Sequence, residues 1–251
     1  MKALIGSSTL ALALMLAACG DSGGDNETAT GTTAAANNAP LQQVQAPNGD
    51  WTRVVTQTEE GGFLMGNPNA PVKLVEYASM TCPHCAAFSE AGSDPLKNQY
   101  VKSGQVSFEF RNFVMNPTDL AASLLTRCQG TGPFFKSVEQ LFATQQQWTA
   151  GSLQISPAEQ QRITALPREQ QVAALAKAGG IDTFFRQRGM PEAKVNSCLN
   201  DQQELQKLMK INETAVSRDK VTGTPTFLIN GEKVEAGTWA ELEPMLRKAI
   251  G

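Results

Sequence analysis

Apolar positions along this chain change their spacing twice, and the changes divide it into three stretches. In the first, Val72-Lys73-Leu74-Val75-Glu76-Tyr77 reads as a short buried strand, and Val106 to Phe113 alternates apolar and polar with a period of two, as a second strand does. Between them, Ala86 to Val101 reads as a helix. Strand, helix, strand in that order implies a parallel pair with a right-handed crossover. Ahead of them, Trp51 to Gln57 alternates weakly, as an edge strand would. Gly61-Gly62 to Pro68 reads as a turn or short hairpin.

From Thr118 the spacing becomes helical and stays so for about a hundred residues, the pattern of a separate lobe. Leu120, Leu124 and Cys128 fall on one face, and Phe134, Phe135, Val138, Leu141 and Phe142 form another stripe. Ser156-Pro157-Ala158-Glu159 resembles a capping box with proline at the first helical position. Val172, Leu175 and Ala176 continue to Gly179-Gly180, which stops that helix. Phe184, Phe185, Val195, Leu199, Leu205, Leu208 and Met209 are the remaining core candidates. After Lys220 the strand pattern returns with Thr226 to Ile229, an Asn230-Gly231 hairpin turn and Lys233 to Glu235. Thr238 caps a last helix, with Glu241 completing a capping box and Trp239, Leu242, Leu246 and Ile250 facing inward.

The 251 residues allow one large or two small domains, and 41% hydrophobic content supports a core. A net charge of −3 argues against nucleic acid as a partner. Residues 1–18 stand outside that core: Lys2 is a minimal positive region, and Leu10 to Ala18 is apolar but too short for a permanent membrane helix. The run ends Leu16-Ala17-Ala18-Cys19 and resembles the bacterial lipoprotein signal, in which the cysteine is acylated. The competing reading is an ordinary secretory signal with Cys19 incidental. On either reading the chain leaves the cytoplasm for a compartment where disulfides persist. Residues 19–50 are rich in Gly, Ala, Thr, Asn and Asp, and read as a disordered tether reaching roughly 30 Å.

The chemistry concentrates at Cys82-Pro83-His84-Cys85, at the strand-to-helix junction. Two thiols so spaced can close a small disulfide and pass it to another protein by thiolate exchange. Cys82, at the helix start, meets unpaired N–H groups and the positive dipole end, which lower its pKa and make it the attacking sulfur. Cys85, one turn further, is the resolving sulfur. Pro83 fits the first turn. His84, the one histidine, can add a charge or donor beside the thiolate, which would make the disulfide form a stronger oxidant. A zinc site would need two more ligands at suitable spacing, which Cys19, Cys128 and Cys198 do not offer. A purely structural role would gain little, because so short a loop constrains the unfolded chain little. In an oxidising compartment Cys128 and Cys198, both on apolar faces, are expected to pair, adding about 4 kcal/mol on a chain-entropy account. Two inert buried thiols are the alternative.

Taken together, strand, CxxC, helix, strand, helical insertion, Thr-Pro, hairpin and helix resemble the thioredoxin fold with an inserted α-helical domain, in the arrangement of the DsbA family of thiol:disulfide oxidoreductases. The resemblance runs over roughly 51–251, with residues 51–116 and 219–251 as the α/β thioredoxin-like part and 117–218 as the insertion. It implies that Cys82, Pro83, His84 and Cys85 are the redox centre. It further implies that Thr224-Pro225 is the cis-proline loop that pairs with substrate backbone. Glu76 would be a buried acid that helps move the proton of the resolving cysteine, and Arg111, by its place on the next strand, is expected to pair with it. An ordinary trans proline and a solvent-facing Glu76 are the bland alternatives. The implied substrates are secreted or periplasmic protein thiols, and no cofactor or metal is called for. The partner would be a membrane protein resembling DsbB for an oxidase, or resembling DsbD for a reductase or isomerase. No oligomerisation segment is visible, so a monomer is expected. A lipid anchor and a long tether depart from the soluble family pattern, and threonine before the proline also occurs in the isomerase and reductase branches. A lipoprotein chaperone without redox duty is the reading from another class.

Overall fold

The structure is a computed structural model that describes residues 40–251. Six strands form one mixed sheet: β1 (Val55–Gln57), β2 (Phe63–Met65), β3 (Val72–Ala78), β4 (Val106–Asn112), β5 (Thr226–Ile229) and β6 (Glu232–Val234). Their spatial order is β1-β2-β4-β3-β5-β6. β3 and β4 are parallel, and every other neighbouring pair is antiparallel. The crossover from β3 to β4 is α1 (Pro83–Pro95), which continues through a π-helical turn over Leu96–Val101. Eight helices intervene between β4 and β5: α2 (Pro117–Arg127), α3 (Phe134–Ala143), α4 (Gln145–Leu153), α5 (Pro157–Thr164), α6 (Arg168–Gly179), α7 (Ile181–Gln187), α8 (Glu192–Leu199) and α9 (Gln202–Ser217). The last helix, α10 (Trp239–Ile250), carries the full capping box between Thr238 and Glu241. This is a thioredoxin-like fold with an inserted helical domain.

The pleat of the central strands decides which side chain meets which core. Leu74, Glu76 and Ala78 share a face with Phe108, Phe110 and Phe227, as their register requires. That face packs on α1, α10 and part of the insertion: Phe134 stacks on Phe63 at 3.7 Å and meets Phe110 edge-on. Val75, Tyr77 and Leu228 point the other way and are covered by Leu208, Ile211 and Ala215 of α9. The insertion therefore shares the core of the sheet, because its phenylalanines fill space that the sheet leaves open. It is not the separate lobe that its helical spacing suggests, and the described residues belong to one compact unit.

Several local expectations are corrected. The stretch Pro40–Asp50, expected to be part of the tether, lies on the body. The Val44 N–H donates to Ser103, the Trp51 indole donates to the Val44 carbonyl, and Ala46 is buried. Met209, expected inside, is 64% exposed, because α9 turns Leu208, Ile211 and Ala215 to the sheet. At Ser156 the capping is one-sided: its hydroxyl accepts from the Glu159 N–H, while the Glu159 carboxylate pairs with Arg162. Gly180 ends α6 with φ of 81°, and the β5–β6 turn places Asn230 and Gly231 at 53° and 88°, backbone that a branched residue would strain to adopt. Cys128, just past α2, is joined to Cys198 of α8, with Cα atoms 5.7 Å apart. The bridge spans 70 residues of the insertion and stabilises it by about 4 kcal/mol on a chain-entropy account. Residues 1–39, including the signal-like run and Cys19, lie outside the described residues.

Candidate active site

After β3 the chain turns sharply, and the Cys82 N–H donates to the Ser79 carbonyl at 3.1 Å. The turn leaves Cys82 as the N-cap of α1, in extended backbone, with Pro83 as the first helical residue. A proline sits there without loss, since its missing N–H would have had no helical acceptor. A cap residue normally offers an oxygen to the free amides of the first turn. Here a sulfur takes that place, and the Cys85 N–H donates to Cys82 Sγ at 3.4 Å. Across from it Thr224-Pro225 is a cis peptide, and the Cys82 thiol donates to the Thr224 carbonyl at 3.2 Å. Both Cys82 and Cys85 are free thiols, and both are buried.

The two sulfurs hold their protons very differently. Cys82 is held down from an ordinary 9.0 to about 5, chiefly by the Cys85 thiol donating to it. Burial opposes this, and the Thr224 side chain and the N–H groups of Cys85 and His84 add to it. The Thr224 carbonyl, which accepts from the Cys82 thiol, favours the protonated form. Cys85 is pushed far up by burial, by its bond to Cys82 and by the nearby charges of Glu76 and Cys82. His84 faces the sulfur with its backbone N–H, while its side chain, like that of Pro83, is exposed. The donor expected from its imidazole is supplied by the main chain.

Glu76 lies on the CxxC face of β3 and is 3% exposed. Burial, with the charge of Cys82, raises its carboxyl from 4.5 to about 8, and its Oε1 has no hydrogen-bond partner. The expected pairing with Arg111 is not made. In the parallel register Arg111 stands beside Tyr77 and Glu76 beside Phe110, so the pleat sends the two side chains to opposite faces. Arg111 instead binds Glu109 through two bonds, at 2.7 and 2.9 Å, and reaches Tyr77 and Asp219.

Two further residues hold the cysteine turn. Asp119 of α2 is fully buried and accepts from the Met80 N–H through one carboxylate oxygen and the Met115 N–H through the other, both at 2.9 Å. Gln145, the first residue of α4, donates to the carbonyls of Met80 at 2.8 Å and Cys82 at 2.9 Å. An Asn-Pro-Thr-Asp run does signal a capped helix, so Asp119 had a local cue, but a glutamine 63 residues from Cys82 has none. Among the described residues no group of three or more His, Cys, Asp or Glu could hold a metal ion.

A CxxC capping the first helix of this fold, opposite a cis-proline loop, defines the protein-disulfide oxidoreductases that work by thiol exchange. The family model of thioredoxin matches residues 58–248, and the chain belongs to that family. A protein-disulfide isomerase from Novosphingobium aromaticivorans is 31% identical, with a TM-score of 0.71 over 75% of this chain and 96% of that one. Wolbachia pipientis α-DsbA1 shares the fold at 21% identity, with a TM-score of 0.60 over 75% of this chain and 90% of its own. A Rickettsia bellii protein provisionally named protein-disulfide oxidoreductase is 26% identical over 82% of this chain and 71% of its own length. For the Rickettsia felis relative of the same name the chain spans 64% of the length.

Proposed function

We propose that this protein is an extracytoplasmic thiol oxidase that introduces disulfides into secreted proteins through Cys82 and Cys85. The observation that carries the reading is the cradle around Cys82 Sγ, which holds that thiol down to about 5. A stabilised thiolate stabilises the dithiol form, and a stable dithiol makes the disulfide form a strong oxidant. In the forward reaction a substrate thiolate attacks Cys82 of the Cys82–Cys85 disulfide, and Cys85 departs with the electron pair. A second substrate thiolate then attacks the substrate sulfur of the mixed disulfide and releases Cys82 as a thiolate. Two substrate thiols become one disulfide and the protein is left as a dithiol. Glu76, carrying a proton near neutral pH, is the donor for the departing Cys85, which binds a proton far more tightly. Thr224 and Pro225 offer the backbone edge on which a substrate strand lies beside Cys82.

On this reading the chain acts in a bacterial periplasm, held to a membrane by lipid on Cys19, and a quinone-linked membrane protein resembling DsbB reoxidises it. The name of the Novosphingobium structure favours a second reading, a disulfide isomerase kept reduced by a donor resembling DsbD. Equilibration of the Cys82/Cys85 pair against a glutathione buffer tests the first. The oxidase should be reduced at glutathione ratios that leave an ordinary disulfide intact, and a pair that stays oxidised there rules it out. A Cys85→Ala variant should accumulate mixed disulfides through Cys82 with secreted proteins. Trapping thiols in cells separates the two readings: mostly oxidised for the oxidase, mostly reduced for the isomerase.

A further inference from the structure

The turn that carries Cys82 is held from outside the thioredoxin part. The Met80 peptide is gripped at both ends: its N–H is bound by Asp119 and its carbonyl by Gln145. Both protons of the Gln145 amide are spent, the second on the Cys82 carbonyl, and the residue is 8% exposed. The Cys82 carbonyl already accepts the first helical bond from the Ala86 N–H at 3.2 Å, so it would not be orphaned without Gln145. What Gln145 adds is a tie between the cap of α1 and the first turn of α4. That turn is itself set in place by Trp148, buried with its indole N–H on the Leu141 carbonyl.

We propose that Gln145 is a positioning residue through which the helical insertion sets the oxidising strength of the Cys82/Cys85 pair. Two effects act together. The Cys85 N–H reaches Sγ at 3.4 Å, an ordinary length for a sulfur acceptor, and its alignment depends on how the cap is held, so a slip of the cap weakens it. A donor on the carbonyl of Cys82 also draws that negative oxygen away from the neighbouring sulfur, whose own charge it opposes. The insertion thereby does more than cover the sheet, because it fixes the one residue whose charge the chemistry uses.

The inference rests on the thiol-exchange reading above, and the experiment separates the two. Gln145→Leu keeps the volume and removes both donors, and Gln145→Asn keeps an amide one methylene too short to reach both carbonyls. Each variant is compared with the full wild-type chain by ultraviolet titration of the thiolate and by equilibration with glutathione. The titration midpoint of Cys82 should rise, and the glutathione equilibrium should move roughly three- to tenfold toward the protein disulfide, the span of one hydrogen bond. A structural role alone would lower the unfolding midpoint and leave both readouts in place. A folded variant with wild-type titration and equilibrium, or a shift of the opposite sign, overturns the proposal. Where the leucine variant fails to fold, the asparagine variant decides. A wild-type pair that proves weakly oxidising removes the oxidase reading, while the difference between wild type and variant still decides the role of Gln145.

Discussion

Strand β3 carries two buried polar clusters on its opposite faces, and they are finished to different standards. On the α9 side, Tyr77 donates to Asp219 at 2.6 Å, Arg111 donates to the Tyr77 oxygen at 3.0 Å, and Glu109 takes two bonds from Arg111 and one from the Thr58 hydroxyl. On the CxxC side, Glu76 is buried with one oxygen bare. A buried polar group without a partner costs stability, so a fold built for stability alone would not leave one. The paired cluster ties β4 to Asp219, where the chain returns from the insertion. The bare carboxyl is the one beside the sulfurs. The contrast teaches that pairing lowers the tendency of a group to exchange its proton, and that only the unpaired acid is free to do so.

The largest effect should come from breaking the paired side. Arg111→Ala leaves the buried Glu109 carboxylate without its cation, while Asp219 keeps its bonds from Arg218, and should cost about 3–5 kcal/mol in denaturant unfolding. A loss below 1 kcal/mol would mean that water already satisfies that cluster. Tyr77→Phe removes a donor to Asp219 and an acceptor for Arg111 and should cost about 1–3 kcal/mol, with glutathione equilibrium unchanged. A change in that equilibrium would show that the two faces communicate.

The smallest effect on stability at acid pH, and the sharpest on chemistry, should come from Glu76→Gln. Below about pH 4.5 the carboxyl is protonated in the folded and the unfolded chain alike, so the substitution should be nearly neutral there. Above that the signs differ. The folded chain keeps a proton on Glu76 that the unfolded chain loses between 4.5 and about 8, so this group lowers stability as pH rises. Cys82 does the reverse, rising from about 5 toward 9, because there the unfolded chain holds the proton. In the reduced wild type the two oppose each other between pH 6 and 8, and stability should change little. In reduced Glu76→Gln it should climb with pH, by at most about 1.4 kcal/mol per unit and less because the sulfur is partly screened by solvent. Release of Cys85 from its disulfide should also slow in a stopped-flow reduction. Equal pH slopes in the two proteins would dismiss Glu76 as a proton carrier.

How much of this the sequence discloses follows from the range of each interaction. The central strands, the CxxC helix with its proline, the Asn-Gly hairpin and the Thr238 cap depend on residues within a few positions of one another and were legible, whereas the expected edge strand from Trp51 begins with a 3-10 turn over Trp51–Arg53 and pairs only from Val55. So was Glu76 as a buried acid, from the family resemblance. Its pairing with Arg111 failed on a single step of register, since one position along β4 is the other face of the sheet. Gln145 was silent because its partners lie far away along the chain, and at Asp219 the sequence shows only its neighbour Arg218, with Tyr77 and Arg111 more than a hundred residues away. The packing of Pro40–Asp50 was hidden for a similar reason. A bland composition predicts little core, yet one indole and one alanine suffice to fasten the segment.

Both outer strands of the sheet are only three residues long, and β6 begins Glu232-Lys233. A protein whose proposed clients are unfolded polypeptides works among chains that seek any open ladder to join. Margins this brief, one of them charged, give a client nowhere to settle lengthwise, so an encounter away from the thiols ends quickly. Handling of clients without becoming part of a tangle is thus written into the borders of the sheet, at a distance from the sulfur chemistry itself.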